Sequence, residues 1–436
     1  MKKLLAYLET DFAAVHAFRY RNSSSWVRIK TFINGLLLGS GDMPLNAMNT
    51  FGLNALEILY ISTKNYIKNI FVGRKKSVIY IGAGSGLFTY EREVKDSYFP
   101  YADITPGECL YWLSADYPKR LIQYRDYLVR NKVIIFSYIV APLSALLSRF
   151  VRLKPSSFDK SAVNRISDEV RKSGYGLADK TVAHNHALFI TRYWLFWLLL
   201  PKRSIKKAYI VSAYSYSEIC AVLKERGVEI IELQHGLIGP EHEGYNYAVR
   251  DKRLPTPDAV NVYNDFWKQE LVDAGYYPQE RIQVTGRLKY RLIRHNLYFE
   301  RQFIVFTGQG IFLDEIIRFL AEGARNIAAK NIDIDILYLP HPNEGELERE
   351  KMRTALRNYA NIKIGHSDDM TTEEFIYYSL AHISIYSSCH FDALFFKNKS
   401  FVFDVMENNL MNYYMEKYPD KFVRIRGLAD IVGDLT

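Results

Sequence analysis

Three short apolar runs in this chain stop at residues that handle protons or bind phosphate. Ile334–Leu339 ends in Pro340-His341-Pro342, His382–Tyr386 ends in Ser387-Ser388, and Val228–Leu233 ends in Gln234-His235-Gly236. Prolines on both sides of His341 fix the backbone there, so its imidazole is aimed with little entropy loss. An anion beside that ring would favour its protonated form. Ser387 and Ser388 stand where a helix begins, and their hydroxyls with the first free N–H groups of that helix make an anion seat. The plainer reading of either serine is an N-cap. Gly308-Gln309-Gly310 is a turn small enough for backbone N–H groups to approach a phosphate. Arg287, after Gly286, reads as a phosphate clamp or as a surface arginine at a hinge. His235 is the proton-handling candidate, because a neutral imidazole titrates near working pH. Glu243, in Pro240-Glu241-His242-Glu243-Gly244, is the alternative base.

Positioning these residues takes strands that end at one edge. From Lys207 the pattern alternates: strand Ala208–Ser212, helix Ser215–Arg226 stopped by Gly227, strand Val228–Leu233. Strand Asp258–Tyr263, helix Asp265–Ala274 and strand Arg281–Thr285 follow. This βαβ alternation predicts a parallel sheet. The charged segment Leu288–Arg301 reads as a linker. A second set starts at Phe303: strands Phe303–Thr307, Ile334–Leu339, Ile362–Gly365, His382–Tyr386 and Phe401–Val405, with helices between them. In an open α/β sheet ligands bind beyond the carboxyl ends of the strands, so the three polar tips are expected to face one cleft. Residues 406–436 read as a helical segment packing back on the first domain.

Residues 1–75 look helical and carry no readable motif. Ser77–Ala83 is a strand running into Gly82-Ala83-Gly84-Ser85-Gly86, which on its face suits a methyltransferase or dinucleotide turn. That motif needs a helix opening on the last glycine and a later strand ending in an acid. Leu87–Asp96 is too short and charged to be that helix, so a tight turn lining a cleft is expected instead.

The 436 residues favour two domains. A net charge of +9 suits an anionic partner, such as a phosphorylated substrate or an acidic membrane face. Three cysteines, Cys109, Cys220 and Cys389, lie far apart, which argues against a disulfide framework or zinc site and for a reducing cytoplasm. The apolar run after Met1 ends at Glu9, too short for a secretion signal. Val133–Ser148 falls short of the roughly 20 residues that span a bilayer and contains Pro142. It reads as a buried or an interfacial helix. Tyr193–Leu200 is followed by Lys202, Arg203, Lys206 and Lys207, a pattern that suits the inner face of an anionic membrane.

Two such α/β sets resemble the GT-B glycosyltransferase fold, with two Rossmann-like domains whose parallel sheets face an interdomain cleft. The His341-Pro342 pair and Ser387-Ser388 resemble the HP and Ser/Thr motifs of bacterial sialyl- and Kdo-type transferases of capsule and lipopolysaccharide synthesis, over roughly 207–405. The resemblance implies an acceptor domain over 1–290 and a donor domain over 300–405, with His341 on the donor phosphate and the serines on the donor phosphate or the sugar carboxylate. It also implies Glu374 near the donor ribose. That family carries a paired acidic motif where this chain has Gln234-His235. A His-Gly at a similar place resembles polyglycerol-phosphate transferases, in which histidine is the base. Asp333-Ile334-Asp335 begins its strand instead of following one, so metal-independent transfer is expected, with no cofactor and no nucleic-acid partner. The resulting expectation is an enzyme moving a sugar from a nucleotide donor, first a CMP-linked acidic sugar, to a surface glycan or lipid-linked glycan. A CDP-glycerol or ribitol polyol-phosphate transferase is the nearest rival, ahead of an S-adenosylmethionine methyltransferase or a membrane scaffold.

Overall fold

The computed structural model describes residues 2–10, 14–37, 53–72, 76–99, 108–114, 121–151, 159–174, 176–201, 204–239, 242, 244–341, 344–365, 370–397, 399–405 and 411–431. The chain divides into two compact units, Met1–Leu288 and Lys289–Thr436.

The first unit opens with helices and a small antiparallel pair, β1 (Arg19–Tyr20) and β2 (Ser23–Ser24). Its central sheet contains β3 (Val78–Ala83), then, after the β4 (Leu87–Tyr90) and β5 (Glu93–Asp96) hairpin, β6 (Cys109–Ser114) and β7 (Ile134–Ile135). It is completed by β8 (Lys207–Val211), β9 (Glu229–Leu233), β10 (Ala259–Val262) and β11 (Ile282–Val284). Every pairing in this seven-stranded sheet is parallel, in the order β11-β10-β9-β8-β3-β6-β7. A parallel sheet is covered on both faces, so its strands are apolar throughout. Ile79, Ile81, Leu110, Trp112 and Ile210 pack on one side with Phe189, Tyr193 and Phe196. Tyr80, Tyr111, Leu113, Tyr209 and Val211 pack on the other with Ile58, Phe99 and Leu128. A further core joins helices Lys2–Thr10, Trp26–Leu37 and Lys160–Lys172 through Leu8, Trp26, Ile33 and Ile166.

The second unit contains β12 (Gln302–Thr307), β13 (Ile334–Leu339), β14 (Ile362–Ile364), β15 (His382–Ser384), β16 (Ser400–Phe403) and β17 (Phe422–Ile425). They form a parallel sheet in the order β14-β13-β12-β15-β16-β17. All six residues of β13 are buried, because Ile336 and Tyr338 enter one core and Leu337 and Leu339 the other. Residues 406–436 were expected to be helical. A helix is present at Asn412–Lys417, but β17 then extends this second sheet, registered on β16 from Ser400↔Phe422 to Phe403↔Ile425. Phe422 and Ile425 are buried at the two ends of this edge strand, with Arg424 exposed between them. The expected linker Leu288–Arg301 holds a short helix, Leu288–Arg291, and Arg294, which forms an ion pair with Glu374.

Both sheets are doubly wound. β12 leads outward to β13 and β14, and β15, β16 and β17 are laid on its other side. β3 leads to β6 and β7, and β8 to β11 follow on the other side. The fold is therefore α/β with two Rossmann-like units, the GT-B-like class. In such sheets the strand order reverses between two neighbours, and the crevice beyond their carboxyl ends is where ligands sit. The reversal falls between β12 and β15 in one unit and between β3 and β8 in the other.

Candidate functional site

The carboxyl end of β12 continues into Gly308-Gln309-Gly310, the end of β13 into His341, and β15 leads through Ile385 and Tyr386 to Ser387 and Ser388. Parallel pairing puts all three ends on one edge, with the glycine turn and the serines on either side of the reversal point. Gly308 N–H donates to the Leu339 carbonyl at 2.8 Å, tying the turn to β13. A Cβ on Gly308 would run into the Tyr338 hydroxyl and the Glu344 carboxylate. Gly310 has φ +73°, the left-handed region that favours glycine. Glu344 is 4% exposed and holds the histidine loop: its Oε1 accepts from the His341 N–H and from the Tyr338 hydroxyl, each at 2.8 Å. Glu344 N–H returns a bond to the His341 carbonyl at 2.9 Å. Burial lowers the pKa of the half-buried His341, with Glu344 pulling it the other way. Helix Cys389–Lys397 begins on the serine pair. Ser387 Oγ accepts from Cys389 N–H at 3.2 Å, and the Ser388 carbonyl accepts from Phe391 N–H at 3.0 Å.

Beneath this edge lies a buried polar network that sequence reasoning missed. His382 Nε2 meets Thr307 Oγ1 at 3.0 Å, and His382 Nδ1 meets Ser400 Oγ at 2.7 Å. Ser400 Oγ also meets His390 Nδ1 at 2.8 Å, and Ser384 Oγ donates to the Thr307 carbonyl at 2.7 Å. Burial keeps His382 far below the usual imidazole range and pushes His390 down to about 3. These bonds join β12, β15 and β16 across the reversal point and so fix the spacing between the glycine turn and the serines. The only sequence signal was a histidine opening an apolar run.

In the first unit His235 follows β9. Tyr214 Oη lies 3.2 Å from its Nε2 and Tyr245 Oη 3.3 Å from its Nδ1. Tyr98 Oη donates to the His235 carbonyl at 3.3 Å. His242 packs against both Tyr214 and Tyr245, with ring centroids 5.1 and 5.0 Å apart. Desolvation pushes His235 down to about 3, with His242 adding to the shift, and pushes His242 to about 4. Glu232, on β9 itself, is fully buried and escaped the sequence reading because it sits inside an apolar strand. Its Oε1 accepts from Ala213 N–H at 3.2 Å, and its Oε2 makes no hydrogen bond among the described residues. Burial pushes its carboxyl up to about 8, with the Tyr245 hydroxyl and Ala213 N–H opposing. The arrangement is an imidazole between two tyrosine hydroxyls, held neutral well below the working pH at which the sequence reading expected it to titrate.

The other expected residues lie elsewhere. Arg287 belongs to the first unit, just past β11, with its guanidinium 5.2 Å from the Tyr263 ring centroid. Glu374 is fully buried and closes a capping box with Thr371. Its two oxygens also accept from Arg294 Nε at 2.8 Å and Nη2 at 3.0 Å. Those bonds give it a structural role in place of the expected ribose contact. Gly84–Gly86 is a single 3₁₀ turn opening onto the β4–β5 hairpin, so it lacks the helix N-terminus that a dinucleotide or methyl-donor turn uses. A Cβ on Gly86 would meet the Tyr98 ring. Asp333 and Asp335 both pair with Arg301. Glu241, Glu243 and Pro342 lie outside the described residues. No helix among the described residues is long and apolar enough to cross a membrane.

No protein-family model and no curated protein matches this sequence. Among solved structures, the chain is similar to UDP-GlcNAc 2-epimerase from Methanocaldococcus jannaschii, at 11% identity and TM-score 0.45, over 82% of this chain and 91% of that one. It is similar to UDP-GlcNAc 2-epimerase from Neisseria meningitidis bound to UDP-GlcNAc, at 10% identity and TM-score 0.44, over 82% and 90%. It is also similar to the glycotransferase of kitacinnamycin, at 9% identity and TM-score 0.44, over 82% and 88%.

Proposed function

We propose that this protein is a glycosyltransferase that moves a sugar from a nucleotide-activated donor to a surface-glycan acceptor, with a CMP-linked acidic sugar as the first donor to test. The observation that carries the reading is the strand-order reversal of the second unit, flanked by Gly308–Gly310 and Ser387–Ser388, with His341 on the next strand end. The donor phosphate would sit on the backbone N–H groups of the turn, the serine hydroxyls and the start of helix Cys389–Lys397. In transfer the acceptor oxygen bonds to the anomeric carbon, the bond from that carbon to the phosphate oxygen breaks, and the acceptor proton passes to His235. The leaving phosphate keeps the electron pair, stabilised by the turn, the hydroxyls and a protonated His341.

The test is a paired replacement. His235→Ala should lower single-turnover transfer by about 100-fold or more while leaving donor affinity nearly unchanged. His341→Ala should weaken donor binding first. Unchanged transfer in both variants removes the assignment. Incubating the protein with CMP-sialic acid, CMP-Kdo, CDP-glycerol and UDP-GlcNAc, and following which is consumed, separates acidic-sugar transfer from polyol-phosphate transfer and from UDP-sugar chemistry.

A further inference from the structure

Helix Ser217–Glu225 starts on the ligand edge of the first sheet, after β8, and its first turn carries Glu218, a carboxylate 1% exposed. Two guanidiniums converge on one oxygen of it. Arg28 Nη1 lies 2.7 Å and Arg192 Nη1 3.9 Å from Glu218 Oε1. Arg192 Nε also donates to Ser144 Oγ at 3.3 Å. Arg28 belongs to helix Trp26–Leu37 and Arg192 to helix Asp179–Leu199, and these helices pack together. The turn Ser148–Phe150 packs on the second of them and carries the exposed Arg149, and His184, also exposed, lies on that same helix. His184 is held below the ordinary imidazole range by its partial burial and by Arg28, Arg149 and Arg192 together. Burial and Arg28 likewise lower Arg192, to about 10.

The charges do not balance. Two guanidiniums share one carboxylate, the charge of a third, Arg149, reaches His184 beside them, and Arg28 Nε is buried with no hydrogen bond among the described residues. A half-buried excess of like charge costs free energy that a bound anion would offset. Guanidinium forks match phosphate oxygens in a bidentate way that an isolated point charge does not. The cluster is also graded from inside to outside: Glu218 at the base, Arg28 and Arg192 as partly covered walls, Arg149 and His184 at the solvent rim.

We propose that Arg28, Arg192, Arg149 and His184 form a seat for a phosphoryl group, carried by a soluble phosphomonoester or by an anionic lipid headgroup. Leu146, Leu147 and Phe150, all exposed, flank Arg149 in sequence and would meet the acyl region if the headgroup is the source. The seat lies on the first unit and does not rest on the transfer reaction or on the donor edge of the second unit.

The test uses the full chain, with the His184 signal and the first-unit arginine variants separating this seat from phosphate binding at the second unit's edge. Inorganic phosphate is titrated by calorimetry, with the His184 ring followed by NMR. The expected result is saturable binding that moves the His184 titration midpoint upward. Arg149→Gln, at an exposed position that does not threaten folding, should weaken binding about tenfold, and Arg192→Gln more. Absence of saturable phosphate binding, or binding unchanged in both arginine variants, overturns the proposal. Sedimentation with phosphatidylcholine vesicles containing phosphatidic acid then assigns the source. Arg149-dependent vesicle binding assigns a lipid headgroup. Phosphate binding without vesicle binding assigns a soluble phosphomonoester. Vesicle binding that survives Arg149→Gln and Arg192→Gln overturns the lipid source.

Discussion

The two units share one winding and present opposite chemistry at their ligand edges. In the second, the edge is made of small residues and backbone: Gly308, Gly310, Ser387 and Ser388, with one histidine anchored through its own N–H. In the first, the edge is aromatic and titratable: Tyr214, Tyr245, His235 and His242 pack ring to ring, and β9 carries a buried Glu232. Backbone N–H groups and hydroxyls hold a fixed negative charge without changing protonation, whereas buried imidazole and carboxyl groups exist in two protonation states. A shared topology therefore supplies the edge, and the proposed function divides binding from proton handling between the two sets of side chains.

The contrast is tested most severely by the glycines. At Gly308 a Cβ collides with the Tyr338 hydroxyl and Glu344, whereas at Gly236, beside His235, no heavy atom lies within 4 Å of an added Cβ. Gly308→Ala should displace the histidine loop and weaken donor binding by about tenfold or more, the range expected of overpacking by roughly 1–3 kcal/mol. Gly236→Ala should leave donor binding unchanged. Equal effects in calorimetric titrations would remove the distinction between a backbone seat and a side-chain seat.

The next test is pH. Glu232 is raised from 4.5 to about 8, so the folded protein keeps a proton there that the unfolded chain loses. Its contribution to stability is full below the unfolded value and is lost as pH rises through the folded one. Desolvated His235, at about 3, works in the opposite direction: its contribution is lost as pH falls from the unfolded value near 6.5. Glu232→Gln should therefore flatten the stability profile between pH 4.5 and about 8 by about 1 kcal/mol or more. Denaturant midpoints taken across that range check it, and an unchanged slope there would mean that Glu232 is ionised in the fold. The smallest effect belongs to Ser387. Ser387→Ala removes a cap contact at Cys389 and should cost about 1 kcal/mol in thermal unfolding, with a loss of donor affinity if the hydroxyl also meets phosphate.

Much of the second unit was legible because each apolar run there is bounded by turn residues. Ile334–Leu339 has the bounds read from the sequence, and the helix Cys389–Lys397 begins where the serine pair was read to open one. Thr371 and Glu374 carry the Thr-x-x-Glu spacing of a capping box, a signal that pointed to the structural role Glu374 has. The first unit was harder. Cys109–Ser114 is buried along its whole length, and a short uniform apolar run does not distinguish strand from helix by period. The β4–β5 hairpin is charged and carries no alternating apolar face over Glu93–Asp96.

What the chain's own order determined is local: where strands start and stop, which turns are glycine, and which strand ends carry His235, His341 and the serine pair. Those follow from side-chain period, backbone freedom and capping, all of which act within a few residues. The strand order, and so the placement of Gly308 opposite Ser387 at the reversal of the second sheet, came only with the tertiary fold. So did the bonds from His382 to Thr307 and Ser400, and the burial that holds Glu232 protonated. These depend on contacts between residues far apart in sequence and on exclusion of water, and neither is written in any short stretch of the chain.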